Sequence, residues 1–306
     1  MPFEPTFRQQ VQLLVSVLPL VAEESCFALK GGTAINLFVR DLPRLSVDID
    51  LTYLPVADRA ESLQKIDSAL KRIGDRITGA YPDVTVQGSA PGGKGAINKL
   101  VVRTKHRLQI KVEVTPVLRG CVYEPAVMPV SETTEDEFGF AKIKVLSFAD
   151  LYAGKILAAL DRQHPRDLFD VHLLLEEEGL SEELRTALIV YLISHDHSPH
   201  SLLAPPAKDI RAIYETDFAG MVERPVALET LLEARDRLIS TVLSDMPDEH
   251  KAFLVSFYQG KPAWEVLGIE GLDRLPAVRW RELNLERAGP GTRESIIKAL
   301  EEVLSA

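Results

Sequence analysis

Cysteine is scarce in this chain. Its 306 residues include two, Cys26 and Cys121, far apart and without CxxC or metal-ligand spacing, which excludes a disulfide-stapled scaffold and a cysteine-ligated zinc site. Long apolar runs are missing too. No stretch approaches the ~20 residues that span a bilayer, and the opening MPFEPTFRQQ has no cationic segment leading into an apolar one. These absences predict a soluble, cytoplasmic protein with no membrane partner. There is also no excess of positive charge: 35 Lys and Arg face 45 Asp and Glu, a net charge of -10. That excludes a protein that coats nucleic acid through bulk electrostatics, although it leaves room for a local basic groove. Aromatic residues make up 7% of the chain, and its two tryptophans, Trp264 and Trp280, are expected to anchor a core or an interface.

What is present is an ordinary globular composition, 46% hydrophobic and 26% charged, long enough for two packed lobes. Val11, Leu14, Val15 and Leu18 recur at helical spacing, and Pro19 is expected to end that first helix. Cys26 to Leu29 reads as a buried strand turned by Gly31-Gly32 into a helix from Thr33 to about Val39. A strand over Val47–Leu54 and an amphipathic helix over Ala57–Ile77 follow. Further strands are expected at 83–87, 97–104 and 108–118, with the glycine-rich segment 88–95 joining the first two. After an irregular stretch the chain turns helical from Ser147 onward, with 198–206 as an exposed connector. The expected architecture is an α/β domain with a mixed sheet over 1–145 and a helical domain over 146–306, with an active-site cleft between them.

The chemistry is concentrated in a few positions. Asp48 and Asp50 lie two apart on a predicted strand, so both carboxylates project from one face with alpha carbons roughly 6.5–7 Å apart. In Gln109-Ile-Lys-Val-Glu-Val-Thr115, Ile110, Val112 and Val114 face one way, and Lys111 and Glu113 the other. Glu113 is therefore a natural third ligand. Three carboxylates suit Mg²⁺, or Mn²⁺ in its place, because hard cations prefer oxygen donors and keep substrate phosphates in their shell. Upstream, Lys30-Gly31-Gly32-Thr33 places two small residues and a helix N-terminus where phosphates bind readily. Ser46, two before Asp48, is expected on the same strand face, bonding a triphosphate or orienting the carboxylate. The run Lys99 to Arg107, with Lys111, is either a basic groove or a solvated hairpin.

KGGTAINLF followed by RLSVDIDLTY resembles the opening motif of AbiEii-type toxins, including the MenT group, within the DNA polymerase beta-like nucleotidyltransferases. Lys155-Ile-Leu-Ala-Ala-Leu-Asp-Arg162, followed by Arg166-Asp167-Leu-Phe-Asp170, is similar to the family's helical motif. In that motif a lysine contacts the nucleotide phosphates and an aspartate completes the site. A weaker similarity lies at Leu275–Leu285. The resemblance implies a nucleotidyltransferase toxin that moves a nucleoside monophosphate from an NTP to an RNA acceptor, the tRNA 3′ end, and so blocks translation. It also implies a cognate antitoxin. The catalytic set would be Asp48, Asp50, Glu113, Lys155 and Asp170. The nucleotide-binding set would be Lys30, Gly31, Gly32, Thr33, Ser46, Lys155, Arg162 and Arg166, and Asp48, Asp50 and Glu113 would hold the metal. Asp167 and Asp170 compete for one role: family spacing favours Asp170, which leaves Asp167 to pair with Arg166. Two other readings stay open, a DxD glycosyltransferase and a nucleotide-dependent binding module without transfer activity. His195, His197 and His200 precede a proline-rich segment and are not expected to bind metal.

Overall fold

The computed structural model describes residues 3–305. The chain forms two compact units, one of residues 1–147 with 219–225, the other of residues 148–218 and 226–306.

The first unit opens with α1, Pro5–Ala22. Its apolar positions Val11, Leu14, Val15, Leu18 and Val21 are all buried, as their i, i+3, i+4 spacing requires. Pro19 does not end this helix, which runs three residues further. Near a C-terminus a missing N–H breaks one hydrogen bond and little else. β1 (Phe27–Lys30) leads into the short α2 (Gly31–Ala34), which continues as a π-helical turn over Ile35–Val39. Then come β2 (Asp48–Tyr53) and α3 (Arg59–Ala80). The meander β3 (Val84–Ser89), β4 (Lys99–Thr104) and β5 (Gln109–Val114) follows. Next are β6 (Ala126–Pro129), α4 (Glu132–Phe138) and β7 (Lys142–Val145). The seven strands make one mixed sheet in the order β3-β4-β5-β2-β1-β7-β6.

The stretch expected to be irregular thus supplies two strands and a helix. Its strands are only four residues long, too short for period-2 alternation to stand out. The segment Ala219–Pro225 also returns to this unit. Leu45 N–H donates to the Met221 carbonyl (2.8 Å), and Arg44 bridges to Val222.

The second unit is helical. Its elements are α5 (Phe148–Arg162), α6 (Pro165–Glu177), α7 (Glu182–Ser194), α8 (Pro199–Leu203), α9 (Arg211–Asp217), α10 (Leu228–Ser244), α11 (Asp248–Tyr258), α12 (Pro276–Arg287) and α13 (Pro290–Leu304). Helix α5 packs on α6 and α7, and α6 packs on α10. Ser181 caps α7 by accepting from Leu184 N–H. The expected exposed connector is instead α8, with Pro199, Leu202 and Leu203 buried; the two leucines provide apolar surface that a solvated loop would waste. Of the tryptophans, Trp264 meets Phe253 at 5.2 Å and Phe257 at 6.1 Å. Trp280 is 49% exposed and anchors no core.

Among the described residues no helix is long and apolar enough to cross a membrane, and both cysteines are free.

Candidate active site

Strand register assembles the first group of polar residues. Lys30 on β1 pairs with Asp50 on β2, Asp50 with Glu113 on β5, and Glu113 with Lys99 on β4. In-register neighbours share a face and lie about 4.8 Å apart across each strand pair. The sheet therefore carries a row of alternating sign, lysine, aspartate, glutamate, lysine, across four adjacent strands. One step along, Asp48 pairs with Lys111. All six residues are half-buried, whereas Leu29, Ile49, Leu51, Leu100, Val112 and Val114, on the opposite face, are buried. This division follows the alternation of the sequence.

Charges within the row are already partly matched. Lys99 Nζ lies 3.0 Å from Glu113 Oε2, and Lys111 Nζ lies 4.0 Å from Asp48 Oδ1. Lys30 Nζ donates to Thr115 Oγ1 at 2.7 Å. Burial pushes the Lys30 ammonium below its usual range, against the pull of Asp50 and Glu113.

The glycine turn sits directly on this row. Gly31 has φ +73°, and a Cβ there would stand 2.6 Å from Asp50 Oδ2. At Gly32 a Cβ would meet an Arg44 guanidinium nitrogen at 2.7 Å and Ser46 Oγ at 2.9 Å. Both glycines are therefore required by close approach, and Gly31 also by backbone conformation. Gly31→Ala is expected to displace the Asp50 carboxylate, lower stability by about 1–2 kcal/mol and reduce transfer at least tenfold. Thermal unfolding and a labelled-NTP transfer assay check both effects.

Thr33 is buried, and its hydroxyl donates to the Asp48 carbonyl at 2.6 Å while lying 3.0 Å from Ser46 Oγ. This hydroxyl ties the turn to β2 rather than standing open to a phosphate. Ser46 is also buried, and it lies before β2 begins at Asp48. Period-2 geometry applies only inside the strand, so β2 by itself does not set the face of Ser46, whose Oγ lies against Thr33 and the Gly32 turn.

Arg44 is 2% exposed, and its Nη1 donates to the Leu45 carbonyl at 2.9 Å. It brings a guanidinium against Gly32. A buried arginine cannot be told from a surface one by composition, so nothing in the sequence marked it. The cationic run divides: Lys99 and Lys111 belong to the charged row, whereas Lys105 pairs with Asp83 and Arg103 bonds Gln109 at the far end of the β4–β5 hairpin.

The second group of polar residues belongs to the helical unit, at the corner between α5 and α6. Lys155 Nζ lies 2.9 Å from both Asp167 Oδ1 and Asp170 Oδ2, and all three side chains are at least 94% buried. Arg162, itself exposed, grips Asp167 through Nε and Nη2. Burial alone would raise the Asp167 carboxyl, but Lys155 and Arg162 together hold it well below the usual carboxylate range. The expected pairing of Asp167 with Arg166 is thus replaced by pairing with Arg162 and Lys155. On a helix, Arg166 and Asp167 are adjacent and diverge by about 100°. Asp167 turns inward to a buried lysine instead.

The corner also carries Gln163 at φ +52°. Its fully buried side chain accepts from Lys208 N–H and donates to the Pro206 carbonyl, both at 2.9 Å. His164 caps α6 by accepting from Arg166 N–H through Nδ1 at 3.2 Å. Neither residue was singled out by the sequence, since both depend on this one turn.

Burial, aided by Arg166, pushes the His164 imidazole down to about 4. The unfolded chain therefore takes up the proton first. The stabilisation is complete above pH 6.5 and is lost as pH falls toward 4, on the order of 3 kcal/mol. Chemical denaturation across that range should show this loss. His164→Asn keeps a cap acceptor without a titrating ring, so it should flatten the profile.

Among the described residues no three His, Cys, Asp or Glu side chains already enclose a cation position, and His195, His197 and His200 form no such site. The donor set of Asp48, Asp50 and Glu113 is nevertheless all carboxylate and lies on one sheet face. That chemistry fits a hard divalent cation, whose charge Lys99 and Lys111 now partly replace.

Fold and sequence can now be set beside known proteins. The model of the family described as "Nucleotidyl transferase AbiEii toxin, Type IV TA system" matches residues 12–280. Among solved structures, MenT4, a nucleotidyltransferase toxin from Mycobacterium tuberculosis, is similar with a TM-score of 0.61 at 14% identity, over 97% of this chain and 93% of that one. No match was found among curated proteins. The fold is that of an α/β nucleotidyltransferase, and the enzyme class is nucleotidyltransferase rather than DxD glycosyltransferase or non-catalytic binding module. The chain belongs to the AbiEii toxin family of type IV toxin–antitoxin systems, which implies a nucleotide substrate and an antitoxin partner.

Proposed function

We propose that this enzyme transfers a nucleoside monophosphate from an NTP to the 3′ hydroxyl of an RNA, the tRNA 3′ end in the first instance, and so arrests translation and growth. The observation that carries the reading is the charged row of β1, β2, β5 and β4, with the Gly31-Gly32 turn packed on its aspartate. In the reaction the acceptor oxygen forms a bond to the α-phosphorus, the bond from that phosphorus to the bridging oxygen breaks, and pyrophosphate leaves with the electron pair.

Asp48, Asp50 and Glu113 would hold Mg²⁺ or Mn²⁺. When bound, such an ion supplies charge neutralisation on the triphosphate and on the leaving group. The glycine turn lets the triphosphate approach the backbone, and Lys30 and Lys111 add positive charge beside it. Glu113, once released from Lys99, accepts the proton of the attacking hydroxyl. The buried hydroxyls of Thr33 and Ser46 hold turn and strand together, which fixes the carboxylates against the substrate. In the helical unit, Lys155 and Arg162 together balance Asp167 and Asp170, and Arg162 and Arg166 would reach phosphate by exchanging their present partners for it.

Incubating purified protein with total RNA, each labelled NTP in turn, and Mg²⁺ or Mn²⁺ tests the reading. Labelled RNA of tRNA size, lost on chelation, is the expected result. Labelling of protein or of free sugar, with none in RNA, would overturn it.

A further inference from the structure

Among the described residues, one face of helix α12 is not covered by the protein. Ala277, Val278 and Leu285 are buried, and Arg281 is tied down by donating to the Ile193 and His197 carbonyls. On the other side Trp280 is 49% exposed and Leu283 43% exposed, with Arg279 and Arg287 also exposed. At 100° per residue, Arg279, Leu283, Arg287 and Trp280 fall in that angular order within an arc of about 100°; Glu286 borders it. Neither Arg279 nor Arg287 forms an ion pair among the described residues, whereas Arg162, Arg235 and Arg237 each do. An indole half in water beside two exposed guanidinium groups, neither closed into an ion pair although Glu282 lies within reach of Arg279, stands out on a chain of net charge -10.

We infer that this face of α12 is a single-strand RNA platform, on which Trp280 stacks an unpaired base while Arg279 and Arg287 meet the flanking phosphates. Charge decides the occupant. An apolar peptide would leave both guanidinium groups desolvated without counter-charge, and a carboxylate of a second copy would answer the arginines but leave the indole without a flat π partner. A strand of RNA supplies a π-face and anions at the spacing of one helix face. Leu283 gives the ribose an apolar floor. The inference rests on the RNA acceptor proposed above and assigns that RNA a contact outside the charged row of the sheet.

The test uses a short oligoadenylate RNA and no NTP. In a Trp264→Phe background, which leaves Trp280 as the sole indole, fluorescence should quench saturably with the oligonucleotide and little with duplex RNA. By anisotropy of labelled RNA, Trp280→Ala should raise Kd roughly five- to hundredfold, the range for loss of one base–aromatic stack. Trp280→Phe should recover part of it. Arg279→Gln and Arg287→Gln should each lower the slope of log affinity against log salt by about 0.7. Because these side chains are exposed, the variants should melt with the parent. An unchanged Kd in Trp280→Ala would overturn the inference, as would indole quenching that tracks self-association in the absence of RNA. If RNA is still labelled from NTP while Trp280→Ala binds normally, the platform fails and the transferase reading stands. If oligoadenylate binds through Trp280 yet no RNA is ever labelled, the reverse holds.

Discussion

Asp48→Ala and Asp50→Ala will each reduce nucleotidyl transfer by about 10³-fold or more, the scale expected when charge stabilisation at a phosphoryl centre is lost. Either change also removes the carboxylate opposite a lysine, Lys111 at position 48 and Lys30 at position 50, although Lys30 keeps its bond to Thr115. The fold should survive, because both side chains are only half-buried. Single-turnover transfer at saturating Mg²⁺, with circular dichroism and thermal melting alongside, separates loss of chemistry from loss of structure. Growth arrest on expression should vanish in parallel. A folded Asp48→Ala or Asp50→Ala protein with near-parental transfer would remove the aspartates from the site.

The second large effect is on stability. Lys155 is held between two carboxylates that are at least 99% buried. Removing it leaves Asp167 with only the exposed Arg162, and places Asp170 in a low-dielectric interior. Lys155→Ala should therefore destabilise the helical unit by about 3–5 kcal/mol, a fall in Tm on the order of 10 °C. Arg162→Ala, which removes a 57% exposed partner, should lower stability by about 1 kcal/mol or less. Scanning calorimetry measures both. Should Lys155→Ala melt like the parent yet lose NTP affinity, its charge acts on substrate phosphates and the ion-pair account is wrong.

Periodicity made much of the fold legible. Alternation along 109–115 assigned Glu113 and Lys111 to one face and the valines to the other, and helical spacing found α1 and α3 within a few residues. Where the signal is short it disappeared. β6 and β7, four residues each, carry too few positions to show a period, and α8 was concealed by Pro199, which serves as a helix start rather than as part of a connector. Ser46 lies two residues before β2 begins, where strand alternation no longer assigns a face. In the helical unit Lys155, Arg162, Asp167 and Asp170 meet at the α5–α6 corner, but Asp167 pairs with Lys155 and Arg162 rather than with Arg166. Which carboxylate a lysine meets depends on how two helices turn about Gln163, and no local pattern encodes that.

The sequence by itself determined the kinds of groups present, their faces, and the family whose motifs they follow, because these depend on residues within a turn or a strand of one another. Only the tertiary structure decided the neighbours. That Asp50 stands beside Glu113 and Lys30, and that Gly31 must lack a Cβ to clear Asp50, are consequences of register between strands whose paired residues, Asp50 and Glu113, lie 63 positions apart in the chain. Register is set by the summed burial of every apolar side chain on the opposite face, and a slip of one residue would exchange the charged face for the buried one.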